Sequence, residues 1–105
     1  MSLNLKFAAL ADPTRRELLE RLETGTKTLS ELASPLPISL MAVQKHVRVL
    51  EEAELVGTTK IGRSRHVALR REGLEHVGRW ITDLETRWGE SLDRLAEVLE
   101  EERSQ

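Results

Sequence analysis

The chain has 105 residues, 39% hydrophobic and 32% charged, with no cysteine and a formal net charge of −2. That length suits one domain with its own core, and the missing cysteines exclude disulfides and agree with a cytoplasmic location. No run of about 18 apolar residues is present to span a membrane, and MSLNLKFAALADPTRR lacks an apolar core long enough for a signal peptide.

Leu3, Phe7 and Leu10 are spaced for one short helix. Asp12-Pro13 reads as an N-cap followed by proline at the first helical position, opening a second helix whose core stripe is Leu18, Leu19 and Leu22 and which Gly25 is placed to end. Arg15 and Arg16 oppose the macrodipole at that helix start. Pairing with carboxylates or DNA would offset this, and a plain solvated position is the equal alternative.

Thr28 to Val56, TLSELASPLPISLMAVQKHVRVLEEAELV, lays out two short helices at the spacing of a DNA-reading helix-turn-helix. Thr28 and Glu31 form a capping box that starts a helix at Leu29. Pro35 and Pro37 cannot continue it, so residues 34–38 are the turn. Ser39 stands where an N-cap belongs. From there Leu40, Val43, Val47 and Leu50 recur at three- and four-residue intervals, forming one buried stripe of a second helix. Its opposite face carries Met41, Gln44, Lys45 and Arg48. Gln can pair bidentately with adenine, Arg with guanine, and Met41 could touch a thymine methyl in a major groove. An ordinary amphipathic helix with a solvated polar face fits the same periodicity.

Val56 to Leu69 then reads as a hairpin, rich in β-branched residues around a Gly62-Arg63-Ser64 turn. Between Leu55 and Arg71 lie five basic residues, Lys60, Arg63, Arg65, Arg70 and Arg71, and no acid. Such a block matches a phosphate backbone, whose neutralisation releases counterions, although charges that only keep a hairpin soluble would look alike. The charge is local: residues 1–71 hold 12 basic and 8 acidic side chains, residues 72–105 hold 4 and 10.

The last third is one long helix. Leu74, Val77, Ile81, Leu84, Trp88, Ser91, Leu95 and Val98 alternate spacings of three and four, polar only at Ser91, and Trp80, Leu92 and Leu99 widen the apolar surface. About thirty residues make a rod of roughly 45 Å, longer than a domain of this size covers by itself. A second copy of the chain would cover Ile81, Leu84, Trp88, Leu92 and Leu95, and a two-fold axis would offer two recognition helices to a palindromic site. Folding back over the same chain's core is the other solution.

FAALADPTRRELLERL, then TLSELA, SLMAVQKHVRVLEEAELV and GRSRHVAL, resemble the ArsR-type winged-helix repressors, above all the cysteine-free branch without the metal-sensing box. The resemblance covers roughly residues 5–100. It implies that the first and last helices form the dimer interface, which adds Leu3, Phe7 and Leu10 to it, and that Leu40 to Ala53 enters the major groove while the hairpin contacts flanking backbone. On that pattern Ser39, Gln44, Lys45 and Arg48 are the groove residues and Lys60, Arg63 and Arg65 the wing contacts. Repression, by competition with polymerase for a promoter, is also implied by the resemblance alone. Two positions depart from the pattern: Gln44 replaces the usual Ser, and Glu54-Leu55 replaces Gly-Leu, which suggests a different helix exit.

His46 beside the Val43 and Val47 stripe reads as a packed, hydrogen-bonded residue more than a base contact. His46, His66 and His76 fall on different elements, so no metal site, cofactor or catalytic constellation is expected. The sequence thus predicts a mainly α fold with a small β-hairpin, a winged helix-turn-helix with a long C-terminal dimerisation helix in one domain over 1–105: helix-turn-helix 28–54, wing 56–69, C-terminal helix 72–102. The function expected is a sequence-specific, DNA-binding transcriptional regulator, a homodimeric repressor with double-stranded DNA as partner, no membrane and no effector assigned. A winged-helix protein–protein interaction module without specific DNA binding is the competing reading.

Overall fold

The computed structural model describes residues 2–104. Helix α1 (Leu3–Leu10) starts on Ser2, whose hydroxyl accepts from the Leu5 N–H, and α2 (Pro13–Arg21) starts on Asp12, whose carboxylate accepts from the Arg15 N–H. A 3₁₀ turn (Leu22–Thr24) ends at Gly25 in positive φ. Strand β1 (Lys27–Thr28) leads into α3 (Leu29–Ala33), whose capping box is complete in both directions. After the proline turn, α4 (Leu40–Glu52) is capped by Ser39. Strands β2 (Val56–Ile61) and β3 (Ser64–Leu69) form the hairpin, and α5 (Arg71–Arg103) closes the chain with 33 residues.

The sheet holds three antiparallel strands in the order β1-β3-β2. The third strand, β1, was not foreseen; it pairs Lys27 with Val67 and Thr28 with His66, tying the start of α3 to the wing. In the hairpin Ile61 faces Ser64, which leaves a two-residue loop, and Gly62 supplies the positive φ that this tight connection needs.

One core joins these elements. Leu18, Leu19 and Leu22 meet Leu32, Val43, Val47 and Leu50, and Leu55, Val56 and Val67 seal it from the wing side. Each such side chain contributes about 1.5–3 kcal/mol relative to exposure. Leu40 departs from the expected stripe: it is 45% exposed, because at the first position of α4 it overhangs the end of the core beside the turn.

The side chains of Arg15 and Arg16 turn to backbone carbonyls, a partner the sequence does not announce. Arg15 donates to the Ala9 carbonyl through Nε at 2.6 Å and to the Ala8 carbonyl through Nη2 at 3.0 Å, while Arg16 donates to the Leu10 carbonyl at 2.7 Å. These carbonyls lie at the end of α1, where cationic donors are favoured, and that of Ala8 also accepts from the Ala11 N–H. Arg21 does the same for α3, donating to the carbonyls of Leu32 at 2.5 Å and Glu31 at 3.0 Å. Helix α2 thereby ties off the C-terminal ends of two neighbours.

The exit of α4 is unusual. Glu54 adopts φ 61°, a conformation that L side chains other than Asn and Asp seldom take, and its Oε2 lies 3.9 Å from the Nζ of Lys6, a fully buried lysine on α1. A left-handed residue at this point is what the usual glycine would supply, so Glu54 keeps a glycine-like exit and adds a carboxylate beside a buried cation. The N-terminal part of α5 presses on the same point: a Cβ at Gly73 would overlap the Glu54 carbonyl oxygen. The Arg70 N–H donates to the Leu55 carbonyl at 2.9 Å, and Phe7 meets Trp80 edge-on with ring centroids 5.2 Å apart. Beyond Trp80 the helix leaves the body, giving the molecule extents of 73 × 28 × 23 Å. Among the described residues, no helix is long and apolar enough to cross a membrane.

Candidate nucleic-acid interface

Periodicity divides α4 into two faces. Val43, Val47 and Leu50 are buried, so Met41, Gln44, Lys45 and Arg48 project outward, with Met41 69% exposed. Ser39 is committed to the helix start: its Oγ accepts from the Ala42 N–H at 3.1 Å, which leaves its own proton available to an incoming acceptor.

The wing brings its cations to the same side. A cleft of about 300 Å³ between α4 and the wing is lined by Gln44, Arg48, Glu51, Thr58 and Arg65. A second of about 280 Å³ continues it toward the hairpin tip, past Leu40, Gln44, Lys60, Arg63 and Arg65. Five of the eight residues expected to meet DNA, namely Gln44, Arg48, Lys60, Arg63 and Arg65, therefore line one continuous concavity. Ser39, Met41 and Lys45 stand outside both clefts.

Two cleft residues were missed in the sequence. Thr58 donates its hydroxyl to Glu51 Oε2 at 2.6 Å and accepts from Arg65 Nη1 at 2.8 Å. Helical spacing could have placed Glu51 one turn beyond Arg48, and strand alternation could have placed Thr58 on the face of Val56. Nothing local announces that the two would meet.

His46 is mostly buried. Its Nδ1 lies 3.4 Å from Arg15 Nη1 and 4.0 Å from Asp12 Oδ2. Since Arg only donates, Nδ1 accepts, and the proton of the neutral ring sits on Nε2. The Asp12 carboxyl is held below its ordinary range, chiefly by the Arg15 backbone N–H against the cost of desolvation, with the Arg15 charge assisting and that of His46 adding only when its ring is protonated. Glu31 is also lowered, chiefly by the Thr28 N–H and then by the Thr28 hydroxyl. Among the described residues no three metal-ligating side chains gather at one point.

The residues expected at a subunit interface separate into two groups. Leu10 packs against the core and Leu3 is half-buried, whereas Phe7 is 36% exposed beside Trp80. Leu5, not singled out in the sequence, is also exposed on α1. On α5, Leu84 is half-buried, Ile81 and Leu95 are exposed, and Trp88 and Leu92 are 62% and 61% exposed.

A family profile described as a helix-turn-helix domain matches residues 10–58. The HTH-type transcriptional regulator Rv2034 of Mycobacterium tuberculosis is 39% identical over 96 residues, which cover 91% of this chain and 87% of that protein. Transcriptional repressor SdpR of Bacillus subtilis is 29% identical over 75% of this chain and 88% of its own length. A crystal structure of an ArsR family transcriptional regulator superposes with a TM-score of 0.78 at 41% identity, covering 83% of this chain and 90% of that one. With its winged helix-turn-helix and its cysteine-free sequence, the chain belongs to the ArsR-type family of DNA-binding transcriptional regulators.

Proposed function

We propose that the protein is a homodimeric repressor that reads a palindromic operator, with α4 in the major groove of each half-site and the wing on the flanking backbone. The observation that carries this reading is the concavity between α4 and the wing, into which Gln44, Arg48, Lys60, Arg63 and Arg65 converge. A groove-reading helix needs donors and acceptors on its outward face and cations beside it to hold the phosphates, and this surface offers both. The bare apolar stripe of α5 supports the dimer, and kinship with a protein named as a repressor supports repression. Such a protein works in the cytoplasm on double-stranded DNA and needs no catalytic step. Effector and operator are not assigned.

Selection of bound sequences from a genomic pool, followed by titration at several salt concentrations, tests the reading. The selected sites should contain two half-sites about 10–10.5 base pairs apart. Arg48→Ala should cost roughly 1–3 kcal/mol per half-site on the selected operator and blur preference at one base pair in each. Arg63→Ala should weaken all sequences alike and lower the salt slope by about one unit per subunit. Binding with neither sequence preference nor salt dependence would leave the protein–protein interaction module as the better account.

A further inference from the structure

Strand alternation sorts the side chains of the wing. Val56 and Val67 are buried, so Thr58 and Lys60 on β2 and Arg65 on β3 lie on the face turned toward α4. Lys60 and Arg65 are also direct partners across the hairpin, and like charges so placed are unfavourable by themselves. Arg65 reaches diagonally instead, donating from Nη1 to Thr58 Oγ1 at 2.8 Å, while the Thr58 hydroxyl donates to Glu51 Oε2 at 2.6 Å. Chemistry fixes the direction of this relay. A carboxylate only accepts, so the single hydroxyl proton points to Glu51 and the Thr58 lone pairs are left for the guanidinium. One of five guanidinium N–H groups is thereby used, and four remain available at the cleft that Arg65 shares with Gln44 and Arg48.

We propose that Arg65 is the wing residue that reads a base, a guanine edge presenting O6 and N7, and that Thr58 and Glu51 are its positioning residues. The inference rests on the DNA-binding reading given above and moves Arg65, alone among the wing cations, from the backbone to a base. Two features favour a base over a phosphate. The Glu51 carboxylate stands one hydroxyl away from the guanidinium; it repels a phosphate oxygen but tolerates a neutral base edge. The fork is also already anchored through side chains of α4 and β2, so pairing with a planar two-acceptor partner costs less rotamer freedom than it would for a free arginine. Arg63, at the hairpin tip, takes no part in the relay and keeps the role of a backbone contact.

Arg65→Lys separates the two roles, because it keeps the charge and removes the fork. On the selected operator it should lose roughly fivefold to a hundredfold in affinity per half-site, the worth of one bidentate pair in each. Random DNA should bind almost unchanged, the salt slope should hold, and preference should flatten at one position per half-site. Thr58→Val should flatten the same position more weakly. Glu51→Ala should flatten it too while raising affinity for random DNA, an opposition that simple loss of stability would not produce. Wild-type base preference in Arg65→Lys, or equal losses on operator and random DNA, would overturn the proposal and make Arg65 a phosphate contact. A wild-type protein that fails to distinguish selected from random DNA would instead defeat the DNA-binding reading itself, and this is seen before any substitution is made.

Discussion

The two halves of α5 share one sequence pattern but are covered to different degrees, with Leu74 and Trp80 of the first half still partly exposed. From Arg71 to Trp80 the helix is clamped into the body: Gly73 and Val77 are buried and Trp80 meets Phe7. From Ile81 onward the same spacing of apolar residues continues, yet Trp88, Leu92, Leu95, Val98 and Leu99 are all exposed. The pattern therefore states which face of a helix is to be covered but not by whom. In the first half the cover comes from α1 and the exit of α4. In the second the described residues supply little cover, and exposed apolar patches of this kind mark interaction surfaces.

The sharpest way to break this comparison is Leu84→Glu. If the distal half is a subunit seam, two carboxylates are brought together in an apolar contact, which is costly enough to prevent association. The variant should sediment as a monomer and lose operator affinity by about two to four orders of magnitude, the advantage of engaging two half-sites at once. A dimeric Leu84→Glu protein with normal binding would move the seam to α1, around Leu5 and Phe7.

Gly73→Ala probes the clamped half. The added methyl would strike the backbone carbonyl of Glu54, which cannot swing aside as a side chain can. A loss of roughly 1–3 kcal/mol is expected, toward the upper end, read as a lower denaturant midpoint with an unchanged slope. Gly78→Ala, where a Cβ meets nothing within 4 Å, should be neutral or slightly stabilising in the helix. Equal effects at the two glycines would mean that the clamp is not tight.

The smallest effect sharpens the comparison from the body's side through pH. Asp12 and Glu31 both sit below the ordinary carboxylate range because backbone N–H groups at helix starts bind their charged forms. A depressed folded pKa gives stability that is complete above the unfolded value and is lost as pH falls through the folded one. The melting temperature should therefore hold from neutrality down to the ordinary carboxylate range and then decline. Asp12→Asn keeps a cap oxygen without the titration, so its difference from wild type should shrink in acid. A constant difference would remove the charge of Asp12 from the account.

Much of the fold is written locally. The capping box, the proline turn, Ser39 and the hairpin glycine each act within a few residues, and each stands where its spacing places it. What escaped depends on contacts between distant segments. Strand β1 is two residues long and exists because Lys27 and Thr28 meet Val67 and His66. Asp12-Pro13 places Arg15 and Arg16 in the first turn of a helix, but nothing local shows that they would serve the last carbonyls of the preceding one. The site was legible to the same extent: the outward face of α4 and the basic hairpin follow from period and composition. The link from Glu51 through Thr58 to Arg65 joins a helix to both strands of the wing and has no local signature.

The pairing of buried Lys6 with half-buried Glu54 at the end of α4 also constrains how this sequence can diverge. Glycine at position 54 would suit φ 61° better than glutamate does, yet taken first it would strand the ammonium of Lys6, which has no exposure at all. An apolar residue at position 6, taken first, would leave a Glu54 side chain that is still 39% exposed and can turn toward water. The two positions are thus epistatic, and the path between them has a preferred order: position 6 becomes apolar before position 54 relaxes to glycine, and in reverse the glutamate arrives before the lysine.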